Sequence, residues 1–214
     1  DVKETLSRCQ NAKFPKPEAV STDLRLDFPL RYPQQLKKVI TSFGGLEWWM
    51  GCGRYAVPVT LDPETAHPWL LLSEDGKRVR GGGARQSFLP SPRRFDSYPC
   101  VLGREDFTSG RHYWEVGVGE GGYCALGVCR DSVRRKGEIS PSPEEGYWGV
   151  RLWYGGKCWA LTSPRTELPL SESPRAVGIL LDYEAGEVSF YNAENKSHLY
   201  TFSHALTGSL LPFF

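Results

Sequence analysis

Ala176-Val177-Gly178-Ile179-Leu180-Leu181, followed by Asp182-Tyr183-Glu184-Ala185-Gly186 and then Val188-Ser189-Phe190-Tyr191, is the stretch on which the fold turns. Two apolar runs of strand length flank a turn rich in Asp and Gly, which reads as an antiparallel hairpin. Working upstream, Tyr147 to Tyr154 is a further strand, Gly155-Gly156 a turn, and Lys157 to Leu161 the return strand. Cys124-Ala125-Leu126-Gly127-Val128-Cys129 and Arg111 to Val118 read the same way, with Gly117 to Gly122 as a Gly-rich hairpin between them. Trp69 to Ser73, the turn Glu74-Asp75-Gly76 and Lys77 to Arg80 form another hairpin, and Tyr55 to Leu61 alternates with period two. Short strands spaced by turn signals, with no helix-length amphipathic stretch between them, predict an all-β fold, an antiparallel β-sandwich.

Composition agrees. The 214 residues include 23 Gly and 16 Pro against one Met, which disfavours a helical bundle. Lys plus Arg is 26 and Asp plus Glu is 25, so no global field exists to hold a phosphate backbone. No run approaches the length of a membrane span. None of the six cysteines forms a CxxC, and the sequence predicts reduced thiols in an intracellular, reducing setting. Cys124 and Cys129 fall on opposite faces of their strand.

Residues 1–45 stand apart, carrying eight basic and five acidic residues. Val2, Leu6 and Cys9 make one helical stripe that starts at the first residue, so it reads as the tail of a longer helix, of coiled-coil kind. Pro15, Pro17, Pro29 and Pro33 punctuate the following segment, and Leu36, Val39, Ile40 and Phe43 recover helical spacing before Gly44-Gly45.

No catalytic constellation emerges. Gly117-Val118-Gly119-Glu120-Gly121-Gly122 satisfies G-x-G-x-x-G, but a dinucleotide site needs a helix next, and Tyr123 onward reads as a strand. Asp182, Glu184 and Glu187 crowd one hairpin, where carboxylates serve as acceptors for backbone amides. His67, His112, His198 and His204 lie apart in the sequence. Two binding candidates remain. Arg130, Arg134, Arg135 and Lys136 crowd one loop, either a solvated surface or an RNA patch. In the strand from Tyr147, Trp148, Val150, Leu152 and Tyr154 share one face, and Tyr147, Gly149, Arg151 and Trp153 the other. With one face sufficient for a core, Arg151 and Trp153 side by side have the residue types of an interface hot spot.

Several stretches resemble the PRY-SPRY (B30.2) family. Leu61-Asp62-Pro63-Glu64-Thr65-Ala66-His67-Pro68 with Leu72-Ser73-Glu74-Asp75-Gly76 is similar to its PRY segment. Arg94 to Gly103, Phe107-Thr108-Ser109-Gly110-Arg111-His112-Tyr113-Trp114-Glu115-Val116, Leu126 to Arg130, Leu181 to Gly186 and Ser189-Phe190-Tyr191-Asn192 are similar to SPRY. The resemblance implies a linker over 1–45 and a domain over 46–214, with PRY at about 54–105 and SPRY at about 106–214. It implies a bent sandwich of two antiparallel sheets that is itself not an enzyme and takes no cofactor.

Residues 1–45 resemble the coiled-coil end and linker of a tripartite-motif (TRIM) ubiquitin ligase more than a butyrophilin. The parent is then expected to be a coiled-coil homodimer, holding zinc only in a RING and B-box outside this chain. Its PRY-SPRY domain would select protein or peptide substrates. The matching contact positions are Tyr123, Ala125, Arg151, Trp153 and Tyr154, with loops near Arg85 and Arg94. Some relatives carry Trp-Asp where this chain has Cys124-Ala125, and an aromatic where it has Arg151. Both changes make the face more positive, so an acidic or carboxylate-bearing partner is expected. Arg151→Glu with Trp153→Ala should remove partners at unchanged melting temperature. Trp48-Trp49 is read either as a staple between linker and sandwich or as an exposed patch. Ending at Pro212-Phe213-Phe214, where the family commonly adds a strand, predicts an open edge.

Overall fold

A computed structural model describes residues 51–119, 123–153, 156–170 and 174–214. The expected helical segment and linker of 1–45, and Trp48-Trp49, lie outside the described residues.

The strands are β1 (Leu70–Leu72), β2 (Val79–Gly81), β3 (Arg111–Gly117), β4 (Cys124–Arg130), β5 (Tyr147–Trp153), β6 (Lys157–Ala160), β7 (Thr166–Leu168), β8 (Ala176–Asp182), β9 (Glu187–Asn192), β10 (His198–Ser203) and β11 (Leu210–Phe213). They make a four-stranded sheet in the order β10-β9-β8-β3, a five-stranded sheet in the order β11-β4-β5-β6-β7, and the separate hairpin β1-β2. All strand pairs are antiparallel. The deciding hairpin is β8-β9. Its turn carboxylates do accept from backbone: Asp182 from the Ala185 amide at 3.0 Å and Glu184 from the Gly110 amide at 2.7 Å.

The period-two pattern buries one side of each sheet against the other. Trp114, Leu126, Val128, Trp148, Val150, Leu152, Ile179, Leu181 and Phe190 fill that core. A second buried cluster lies on the outer side of the five-stranded sheet: Phe95, Cys100, Leu102, Cys129, Tyr147, Leu161, Leu211 and Phe213. Cys124 packs on the first cluster and Cys129 belongs to the second, so the two do face opposite ways. Gly149 is what lets this second layer close on the sheet. A Cβ there would stand 2.5 Å from Phe213 Cζ and 2.8 Å from the Leu126 carbonyl oxygen.

Four expectations need correction. Gly117 to Gly122 does not join a hairpin, because β3 pairs with β8 while β4 pairs with β5 and β11, so the chain changes sheets there. Tyr55 to Leu61 is no continuous strand. A 3-10 turn occupies Gly53–Tyr55, Ala56 bridges Tyr113, and Leu61 bridges Gly103. Pro58 has no amide to give, and the Thr60 amide goes to the Glu105 carboxylate at 2.9 Å. The last strand has no open edge: β11 pairs with β4 on one side, and Leu102 and Phe107 bridge Phe213 and Leu210 on the other. Finally, one face of β5 is not spare, since Tyr147, Gly149 and Arg151 are buried along with Trp148, Val150 and Leu152.

Candidate functional site: the outer face of the five-stranded sheet

Strand register assembles the site. Ala125 on β4 lies opposite Arg151 on β5, Arg151 opposite Trp159 on β6, and Trp159 opposite Glu167 on β7. Directly cross-strand side chains stand about 5 Å apart, so these four form one row across the sheet. Tyr123 and Trp153 flank it, their rings meeting edge to face with centroids 4.6 Å apart. Trp153 meets Trp159 the same way at 6.5 Å. Tyr123 and Trp153 are 52% and 42% exposed, a large aromatic area left on the surface.

Arg151 is the floor of this face, only 8% exposed. Its Nη2 donates to the Tyr98 hydroxyl oxygen at 2.9 Å, and its guanidinium carbon sits 5.8 Å from the Tyr123 ring centroid. Nε is buried with no hydrogen-bond partner, and among the described residues no carboxylate pairs with the charge. A buried guanidinium normally meets a carboxylate, because the desolvation cost is several kcal/mol otherwise. Tyr98 shows both influences: burial raises its pKa above the ordinary phenol value, and Arg151 pulls it back down. This burial also revises the charge-reversal expectation. A glutamate at 151 would set a buried carboxylate beside Tyr98 and destabilise the fold, so Arg151→Met is the better probe.

The structure thus unites Tyr123, Ala125, Arg151 and Trp153. Tyr154 lies outside the described residues. Arg85 is exposed in the loop after β2, and Arg94 is engaged elsewhere, donating to the carbonyls of Pro63 and Ala66 at 2.9 and 2.7 Å and stacking on Phe88 at 4.2 Å. Among the described residues, no hydrogen bond, ion pair or ring contact joins either arginine to the Arg151 group. Sequence reasoning missed Tyr98, Trp159 and Glu167. The turn at 155–156 held the signal for Trp159, since folding back about it places 159 opposite 151.

The basic loop has a different task. Lys136 donates to the carbonyls of Ser91 and Arg94, both at 2.8 Å, and Arg135 to the Arg93 carbonyl at 3.2 Å and Asp131 at 2.7 Å. Arg134 lies 3.7 Å from Glu145, and Arg130 stacks over Trp148 at 5.2 Å. On the other side Arg93 pairs with Asp62 at 2.8 Å and Glu64 at 3.0 Å. His67 completes the clasp: its Nδ1 accepts from the Trp69 amide, so Nε2 donates to the Asp96 carbonyl at 3.0 Å. Burial lowers the His67 pKa, which favours that neutral form. These contacts hold two loops over the Phe95–Tyr147 half of the outer face, while at the other half the rings of Tyr123 and Trp153 stay exposed beside the buried Arg151. Among the described residues, no group of His, Cys, Asp or Glu is placed to hold a metal.

A two-sheet antiparallel sandwich preceded by a small hairpin defines a domain of β-sandwich type. The profile of the SPRY-associated domain PRY matches residues 59–107, and that of the SPRY domain matches 111–214. The chain belongs to the PRY-SPRY (B30.2) family. Butyrophilin subfamily 1 member A1 of Bos taurus is 56% identical over 167 residues, covering 78% of this chain and 32% of the relative. Zinc finger protein RFP of Homo sapiens is 43% identical, covering 100% of this chain and 44% of the relative. E3 ubiquitin-protein ligase TRIM58 of Mus musculus is 45% identical, covering 98% and 40%. The chain therefore spans less than half the length of these relatives. The crystal structure of the TRIM65 PSpry domain superposes with a TM-score of 0.68 at 25% identity, covering 78% of this chain and 89% of that one. SPRY domains are commonly protein-binding modules and are not catalytic by themselves.

Proposed function

We propose that this domain selects substrates for a ubiquitin ligase of the tripartite-motif kind, by reading a carboxylate-bearing protein segment on the Arg151–Trp153 face. The observation that carries the reading is Arg151, a buried charge with no carboxylate partner among the described residues, ringed by Tyr98, Tyr123, Trp153 and Trp159. A partner carboxylate supplies the missing counter-charge through a bidentate pair, and the aromatic rings exclude water around it. The tripartite-motif assignment is supported by matches to RFP and murine TRIM58 that extend over 98–100% of the chain; human TRIM58 and the butyrophilins match over 75–78%. On this reading the parent is an intracellular coiled-coil homodimer whose zinc sits in other domains.

The test is a quantitative capture from lysate with wild type and the Arg151→Met/Trp153→Ala double variant. Partners lost with the variant, and competed away by a peptide carrying the same carboxylate, support the reading. Identical partner sets refute it. The 56% identity to a butyrophilin favours a second reading, an intracellular ligand-sensing domain using the same face. A membrane span encoded upstream in the transcript, in place of a RING, would decide for it.

A further inference from the structure

β3 is an edge strand of the four-stranded sheet, and among the described residues only half of its free edge is covered. The Val57 amide donates to the Tyr113 carbonyl at 2.9 Å. Residue 113 therefore points its backbone away from β8, and by strand alternation so do Glu115 and Gly117. The ladder agrees, because the Val118 amide turns back to the Arg175 carbonyl at 2.7 Å. Beyond residue 57 the covering segment leaves β3: the Thr60 amide goes to Glu105, and the Leu61 amide to the Gly76 carbonyl at 2.7 Å. Among the described residues, the amides and carbonyls of Val59, Glu115 and Gly117 have no hydrogen-bond partner.

The space so opened is a groove of about 790 Å³. Val59, Leu72, Val79, Trp114, Val116 and Phe214 give it apolar walls. Trp114 is 4% exposed, and its indole Nε1 is buried without a partner among the described residues. Lys77, Arg78 and Arg80 line the hairpin side. Only Arg78 has an ion pair among the described residues, a loose one with Asp75 at 3.9 Å.

We propose that this groove receives an extended segment of a partner protein, apolar at alternate positions and acidic at the others, as an added strand on β3. Backbone groups of Glu115 and Gly117 on one wall and Val59 on the other supply the ladder, as in strand-addition recognition. The alternate apolar side chains enter between Trp114 and Leu72, and the acidic ones meet Lys77 and Arg80. This site lies on the other sheet from the Arg151 face and does not depend on it.

The probe is a labelled octapeptide alternating valine with glutamate, tested on the full chain by fluorescence polarisation and amide hydrogen exchange. Binding should slow exchange at Glu115 and Gly117. N-methylation of two alternate peptide amides should weaken it about tenfold, the effect of two lost hydrogen bonds. Gly117→Pro should weaken it too. It removes one edge donor while sparing the β8 ladder, and even a Cβ at 117 meets nothing within 4 Å. Lys77→Glu with Arg80→Glu should abolish selection of glutamate over lysine peptides. The proposal is overturned if the octapeptide does not bind at millimolar concentration, if the N-methylated peptide binds equally well, or if protection falls elsewhere. Pairing of two copies of the chain through β3, seen as a dimer by sedimentation, would also overturn it.

Discussion

Replacing Arg151 by methionine separates a binding role from a structural one. The side chain is 8% exposed, so the substitution removes a charge from a desolvated site while keeping most of the aliphatic stem. On the debit side is the hydrogen bond to Tyr98, about 1.5–3 kcal/mol for a charged donor. A cation–π contact worth about 0.5 kcal/mol goes with it. Against that stands relief of several kcal/mol of uncompensated desolvation, including the orphaned Nε. The net should lie within about 2 kcal/mol of zero on the stabilising side, a melting temperature unchanged or a few degrees higher. Partner affinity should fall about 30-fold or more, the lower end of what truncating one member of a buried charge pair costs. Arg151→Lys should recover part of the affinity through its charge, without the bidentate fork. Thermal unfolding and titration of a captured partner are the assays. A fall in melting temperature of about 6 °C or more would show that Arg151 fastens β5 to Tyr98, and the argument from an unpaired charge would fail.

Other outcomes test the surrounding architecture. Gly149→Ala drives a methyl into Phe213 and the Leu126 carbonyl, and should cost about 1–3 kcal/mol or more, read as a lower melting temperature; an unchanged value would mean Phe213 yields freely. Burial pushes the thiols of Cys100 and Cys158 up to about 12 and Cys52 and Cys124 up to about 11, so iodoacetamide at pH 8 should leave all four unmodified in native protein. Because an unfolded thiol ionises near 9, each contributes stability that is present below that pH and lost as pH rises toward the folded value, by about 1.4 kcal/mol per pH unit. Rapid native labelling of these positions by mass spectrometry would contradict their burial. The basic loop should not hold RNA, since its cations are spent on Ser91, Arg93, Arg94, Asp131, Glu145 and Trp148; salt-sensitive retention on homopolymer RNA would show otherwise.

Hairpins were legible wherever two apolar runs met across a turn, which is why β1-β2, β5-β6 and β8-β9 agree with the sequence. Pairing between strands distant in sequence was not. Nothing in Gly117 to Gly122 says that β3 will take β8 as partner, because sheet membership is decided by burial of Trp114 and Leu126 from opposite sides. β10 was hidden by a bulge between His198 and Tyr200 that breaks its alternation. β11 was disguised by Pro212, tolerated because its missing amide removes one possible ladder bond at most.

For the site, residue types were legible and exposure was not. Period two correctly placed Arg151 and Trp153 on one face of β5, but it cannot say what covers that face. The cover is a pair of loops whose mutual contacts are arginine and lysine to carbonyl oxygen, a pattern with no sequence periodicity. They stop at Tyr98. That stopping point buries Tyr147 and exposes Trp153 on the same face of the same strand, and Arg151 lies at the boundary between them. Arg151 is desolvated there by its own fold, and the exposed rings of Tyr123 and Trp153 stand beside it. This position gives the arginine its proposed use, because an incoming carboxylate meets a cation that has already lost much of its water.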